Sequence, residues 1–332
     1  MASPLPLRRL VVVAGLLCAA SGFATGSASA QNRYVARADS LFRSGRVFAA
    51  ETLYYYAVRR QPRDPAARLA LGRYLAARGA LRVGAVLMEE ARYFGGDPKE
   101  VAAYLAPVYM QLRDYEALAA LPGSPLPYAQ RARAEWLKAN PPAATGPDSV
   151  TIPWAPGDSA RFGRVAIVLG ADTVAAAIDP TAEGLVLDTA WVGKPAVQVF
   201  KSTYESDWRN FAAVATTVGI GELALSGVPV RFEPLRASAG GRRAARLGLD
   251  VLTQFAPTFD VARRTLTLRR DGRAPPADST AVRIPTLTLA GRLWIVRRDG
   301  LWPVAGEEAR RTLLGRRWTV SPKRGEILVA AN

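Results

Sequence analysis

The sequence predicts a protein built in two styles, a helical-repeat region followed by an all-β domain. Three observations predict it. From Tyr34 to about Leu121 apolar residues recur at helical spacing with a period of 34 residues, residues 140–148 (NPPAATGPD) interrupt the pattern with prolines and a glycine, and from Thr151 the chain breaks into short β-type runs. With 332 residues and 49% hydrophobic content, the chain is long and apolar enough for two cored domains.

The first thirty residues stand apart. Arg8-Arg9 precede an apolar stretch from Leu10 to Ala20, and small residues ending Ala28-Ser29-Ala30 lead to Gln31, the layout of a cleavable signal peptide. A mature chain starting at Gln31, exported to the periplasm or beyond the cell, is therefore expected. The apolar core is about eleven residues, against roughly 20 for a bilayer span, so no stable membrane span is expected. Leu17 precedes Cys18 where a lipidation signal wants a small residue, and the arginine pair leaves a twin-arginine route open beside the general one.

Within the helical region, expected over residues 31–139, Gly45 matches Gly79, Ala50 matches Gly84 and Ala57 matches Ala91. Two short helices per unit would meet at the glycine, with Asp64-Pro65 and Asp97-Pro98 supplying an N-cap and a first-turn proline for new helices. These residues resemble tetratricopeptide repeats, with Leu71-Gly72, Gly79 and Ala91 on the pattern and Pro62 at its closing proline. A third unit, Val101 to Leu121, keeps the helix start Asp114-Tyr115-Glu116-Ala117 and lacks the inter-helix glycine. The resemblance implies a groove for a peptide or protein partner; a packing module for the next domain is the other reading. Tyr54, Tyr55 and Tyr56 cannot all face one core, and serve either a partner or the core edge. A further helix is expected from Tyr128 to Lys138, then a linker over 140–150.

The β domain is expected over 151–273. Its candidate strands are 164–169, 174–178, 184–188, 197–200, 211–218, 222–225, 228–232, 257–261 and 265–269, with Ser226-Gly227 as a hairpin turn between two of them. Strands this short and dense indicate a sandwich or barrel. Residues 274–332 form a C-terminal β segment.

Composition removes several chemistries. The chain has no histidine, and its one cysteine, Cys18, lies in the leader. Serine triads with a His base, papain-like sites and His or Cys zinc sites are excluded, and nothing calls for a cofactor or metal. The formal charge of +16 falls to +14 without Arg8 and Arg9, since residues 1–30 contain no acid. Five lysines against a scatter of arginines read as biased composition rather than a nucleic-acid footprint; nucleic acid is not an expected partner, and attraction to an anionic envelope surface is the better use of the charge.

Chemistry is expected around Gly184-Leu185-Val186-Leu187-Asp188-Thr189-Ala190, an apolar strand ending on a carboxylate and a hydroxyl. Taken alone, such a run is a strand entering a turn. About sixty residues later the chain reads Arg246-Leu247-Gly248-Leu249-Asp250-Val251-Leu252, then Phe255, Thr258-Phe259-Asp260 and Arg263 to Leu268. With the preceding Ile220 to Val230, this resembles the closing signature of bacterial retropepsin-like aspartic peptidases, over about residues 162–270.

The resemblance implies an acid-protease lobe that hydrolyses polypeptides. It places Asp188 at the catalytic aspartate and Thr189 at the hydroxyl that ties a dyad together, with Ala190, Trp191, Leu247 and Gly248 shaping the site. Two departures stand out: the family has glycine after Asp-Thr where this chain has Ala190, then a small residue where it has Trp191. Their side chains are expected to crowd the site, which leaves either a weak peptidase or a lapsed one that binds peptides or acts as a scaffold. Asp250 is expected to cap the short helix, Asp260 to sit in the hairpin, and Glu183 and Glu222 to be solvated. The family's dyad needs a second aspartate. Residues 284–329 echo the signature through Leu313-Leu314-Gly315 and Trp318 to Val329, as a degenerate second lobe would, yet offer only Asp299-Gly300 as an Asp-centred turn. A homodimer is the clear route to a dyad.

Overall fold

The computed structural model describes residues 32–124, 126–155, 162–235, 244–276, 280–289, 291–297, 300–313 and 315–330. The leader, with Arg8-Arg9 and Cys18, lies outside the described residues, as do Asp299 and Leu314. The architecture is an N-terminal helical region followed by a β-rich barrel domain. No helix among the described residues is long and apolar enough to cross a membrane.

The helical region comprises α1 (Arg33–Arg43), α2 (Val47–Arg60), α3 (Pro65–Ala77), α4 (Leu81–Tyr93), α5 (Pro98–Leu112), α6 (Tyr115–Ala119) and α7 (Tyr128–Ala139). Asp64 and Asp97 cap α3 and α5, each accepting a backbone N–H two residues on, with proline at the first helical position. Gly45 and Gly79 take φ of +79° and +88° between paired helices. Both glycines also touch the C-terminal segment: a Cβ at Gly45 would lie 2.6 Å from Gly300 Cα, and one at Gly79 2.6 Å from Pro322 O. The inter-helix turns are thus seats for the β segment, as a packing module requires. The third unit lacks that glycine, and Arg113 occupies the left-handed position at φ +59°. The three tyrosines divide: Tyr54 is buried on Asp39, Tyr55 is exposed, and Tyr56 sits at the edge against Tyr34.

Sixteen strands are described: β1 (Ala144–Thr145), β2 (Ser149–Pro153), β3 (Arg164–Leu169), β4 (Asp172–Asp179), β5 (Leu185–Asp188), β6 (Val197–Phe200), β7 (Ala212–Ile220), β8 (Leu223–Glu233), β9 (Ala244–Gly248), β10 (Thr258–Asp260), β11 (Thr265–Arg269), β12 (Val282–Leu289), β13 (Arg292–Arg297), β14 (Gly300–Pro303), β15 (Arg317–Ser321) and β16 (Glu326–Val329), with helices α8 (Leu249–Thr253) and α9 (Glu307–Leu313) between them. The first sheet runs β1-β8-β5-β9-β4-β3-β7-β6, and β7 also pairs with β8, which closes six strands into a barrel. The second runs β14-β13-β12-β16-β15-β10-β11-β2.

Two expectations are corrected. The expected turn at Ser226-Gly227 is the middle of β8; the hairpin turns five residues earlier, at Gly221-Glu222, where Ile220 pairs with Leu223 and Gly221 has φ +59°. Gly227, at φ +70°, instead shifts the phase of the strand, so that buried positions move from 223 and 225 to 228, 230 and 232. A glycine without a side chain marks a face change as readily as a reversal. The linker, expected to be irregular, contributes β1, where Ala144 and Thr145 pair with Leu225 and Ala224.

One core joins the two sheets, and the helices pack on both: α1–α4 share a cluster with Leu287 and Val296, and α4–α7 one with Val214, where Trp136 meets Phe200 at 6.1 Å.

Candidate functional site

Leu185, Val186 and Leu187 are fully buried between β8 and β9, and Asp188 is where β5 leaves the core. The next three residues form one 3-10 turn. Asp188 Oδ1 accepts the Ala190 N–H at 2.9 Å and Oδ2 accepts the Leu235 N–H at 2.9 Å, so each oxygen already holds a backbone donor. Thr189 is half-buried on the turn. Ala190 points outward and is exposed, while Trp191 is 1% exposed within the main core. The expected crowding by the Ala190 methyl does not arise, because the tight turn sends successive side chains to opposite sides.

Leu247 is buried in the core, and Gly248 ends β9. The antiparallel register of β5 and β9 sets Gly248 opposite Gly184, whose carbonyl accepts its N–H at 2.7 Å. Asp188 lies four positions further along β5, roughly 13 Å at strand spacing. The carboxylate paired in register with Gly248 is Asp179, at the end of β4. A Cβ at Gly248 would stand 2.7 Å from Ala182 O and 2.8 Å from Gly184 O, so this crossing admits only glycine.

Asp179 accepts the Thr181 N–H at 2.8 Å and the Thr181 hydroxyl at 2.6 Å, and pairs with Arg246 at 3.1 Å. Burial alone would raise its pKa; the Thr181 donors and the Arg246 guanidinium outweigh it and hold the carboxyl below its ordinary range. Arg246 also pairs with Glu233, which lies 3.8 Å from Arg231. Because Glu233 is the in-register neighbour of Asp188, a string of alternating charges runs across the sheet from Asp179 through Arg246 and Glu233. The three side chains are 20%, 31% and 33% exposed, so water screens them only in part.

Asp250 departs from expectation: no side chain caps α8, and both Asp250 oxygens turn back to accept the Gly184 N–H, at 3.0 and 2.9 Å. The residue is open to solvent on one flank, yet its carboxylate faces inward, and burial pushes its pKa up to about 6 against the opposing pull of the Gly184 amide. Asp260 accepts the Arg263 N–H in the β10–β11 turn, as expected, and Glu183 and Glu222 are exposed.

The outer edge of β10 is already taken by β15 of the same chain. Phe259 stacks on Trp318 at 4.2 Å, and the Thr258 and Thr319 hydroxyls hydrogen-bond at 2.8 Å. Each strand follows a short helix, α8 or α9, and leads into a partner, β11 or β16. In the helical region an open groove of about 690 Å³ lies along α4 and the end of α5, lined by Val86, Tyr93, Tyr109 and Leu112 together with the charged Glu89 and Arg92. Among the described residues no acidic cluster could hold a metal ion.

Asp179 and Arg246 were missed in the sequence. The signal was present, since residues 174–178 read as a strand and Asp179 ends it, but Pro180 separates that aspartate from Thr181 and hides an Asp-Thr pair.

No family model and no curated protein matches the chain. Among solved structures it is similar to a retropepsin-like aspartic protease from Rickettsia conorii, with 15% sequence identity and a TM-score of 0.25, over 38% of this chain and 90% of that one.

Proposed function

We propose that this chain is an exported, non-hydrolytic relative of the retropepsin-like aspartic peptidases, which binds polypeptide instead of cutting it. The observation that carries the reading is the Arg246 guanidinium between Asp179 and Glu233, beside the Gly248 crossing. An aspartic peptidase activates water with two carboxylates that share a proton. A carboxylate paired with a guanidinium is held ionised and gives up that exchange. Asp188 is held by one backbone N–H on each oxygen, and the carboxylate in register with it across β8, Glu233, is taken by Arg246. The open groove along α4 supplies a surface for a polypeptide ligand.

The alternative, hydrolysis by an Asp188 dyad completed in a homodimer, needs a second chain, and the β10 edge is filled by β15. The test is incubation of the chain from Gln31 with an unfolded protein between pH 3 and 6, with and without pepstatin, while cleavage is followed by mass spectrometry and binding by fluorescence anisotropy. Binding without pepstatin-sensitive cleavage is expected. Cleavage that disappears in Asp188→Asn or Asp179→Asn would establish the peptidase instead.

A further inference from the structure

The first helical hairpin presents a cationic face that the β domain and its site do not use. Six arginines, Arg33, Arg37, Arg43, Arg46, Arg59 and Arg60, are exposed on it and a seventh, Arg63, in the turn that follows α2, and none pairs with a carboxylate among the described residues. The two acids of the same stretch are half-buried and turned inward: Asp39 accepts the Tyr54 hydroxyl at 2.6 Å, and Glu51 accepts the Tyr74 hydroxyl at 2.8 Å, both from buried tyrosines. The charges that remain outward are positive, with aromatic rings and small hydroxyl side chains between them.

Helical spacing organises that face. On α1 the exposed positions are Arg33, Arg37, Ser40 and Arg43, spaced by three or four residues, and on α2 they are Phe48, Thr52, Tyr55 and Arg59 at the same spacing, with Arg60 beside the last. Phe48 and Tyr55 are 52% and 49% exposed. Where α1 begins and α2 ends, Tyr34 and Tyr56 meet edge to face at 4.7 Å, and two guanidiniums lie over them, Arg33 on Tyr34 at 4.9 Å and Arg60 on Tyr56 at 5.1 Å. Each also donates to the tyrosine hydroxyl, at 2.8 and 2.7 Å, which fixes two cations at the open end of the hairpin.

We propose that this face docks on a membrane surface rich in anionic phospholipid, with headgroup phosphates on the arginines and Phe48 and Tyr55 at the headgroup level. Arginine with partly exposed aromatic rings is the composition that settles at such an interface.

The test is co-sedimentation of the chain from Gln31 with vesicles of phosphatidylcholine alone or mixed with phosphatidylglycerol, at low and high salt. Binding only to the mixed vesicles, lost at high salt, is expected. Near an anionic surface each arginine multiplies partitioning about five-fold, so the variant R33Q/R37Q/R59Q/R63Q should bind at least a hundred-fold more weakly. The charge-matched variant R209Q/R263Q/R273Q/R311Q, altered only at exposed arginines of the β domain, should bind as the parent does. Circular dichroism melting confirms that both variants are folded. The proposal is overturned if neither vesicle binds, if the two variants lose affinity equally, or if single-stranded nucleic acid binds at the same salt while vesicles do not.

Discussion

Among the described carboxylates, Asp250 is the one that burial holds protonated to the highest pH. Its native pKa near 6 exceeds the ordinary 3.8, so the folded state holds more protons between these values and stability declines as pH rises from about 4 to about 6. The effect should be about 1 kcal/mol, reduced from the full shift because one flank is open to water. Urea midpoints at pH 4 and pH 6.5 measure it, and Asp250→Asn should flatten the difference. Arg113 offers a second check. At φ +59° it bears a left-handed strain that glycine escapes, so Arg113→Gly should be more stable than Arg113→Ala by about 1 kcal/mol in urea unfolding, both having lost the bond to Pro142 O. The sequence showed the missing glycine there. It did not show that Trp191 turns into the core while Ala190 turns out, because one residue of offset in a 3-10 turn reverses which side chain is buried.

Elements were more legible than the contacts between them. Helices α3 and α5 announce themselves by Asp-Pro, and β3, β6 and β11 fall on the expected residues because apolar alternation and local turns suffice to define them. The Ser226-Gly227 hairpin failed because glycine marks both reversals and face changes, and only the partner strand decides which. The candidate site suffered in the same way. Asp188 and Gly248 look like neighbours along a motif, yet they stand at opposite ends of β5, since sheet order rather than sequence distance sets Asp179 beside Gly248. Gly248→Ala probes that crossing: with two carbonyl oxygens inside 3 Å of the new methyl, a loss of about 1–3 kcal/mol in urea unfolding is expected.

At the scale of the molecule, the tail is part of the β domain's sheet, and the inter-helix turns at Gly45 and Gly79 seat it against the helical region. Trp318 is 2% exposed and stacked on Phe259, so Trp318→Ala should cost about 3–5 kcal/mol and lower the unfolding midpoint of the whole chain as one transition; a separate early transition would show that the tail melts alone. The order of pairing in that second sheet also dictates when it forms. β2, at 149–153, waits for β11 at 265–269, and β10 waits for β15 at 317–321, which in turn needs β16 at 326–329. The barrel strands are complete well before, so a nascent chain passes through a stage with its barrel closed and the β10 edge unpaired. Contacts this remote in sequence form slowly, on the millisecond to second scale, and an open strand edge recruits other chains while it waits. Yield on refolding should therefore fall steeply with protein concentration, and the two final strands, β15 and β16, set the length of that exposure.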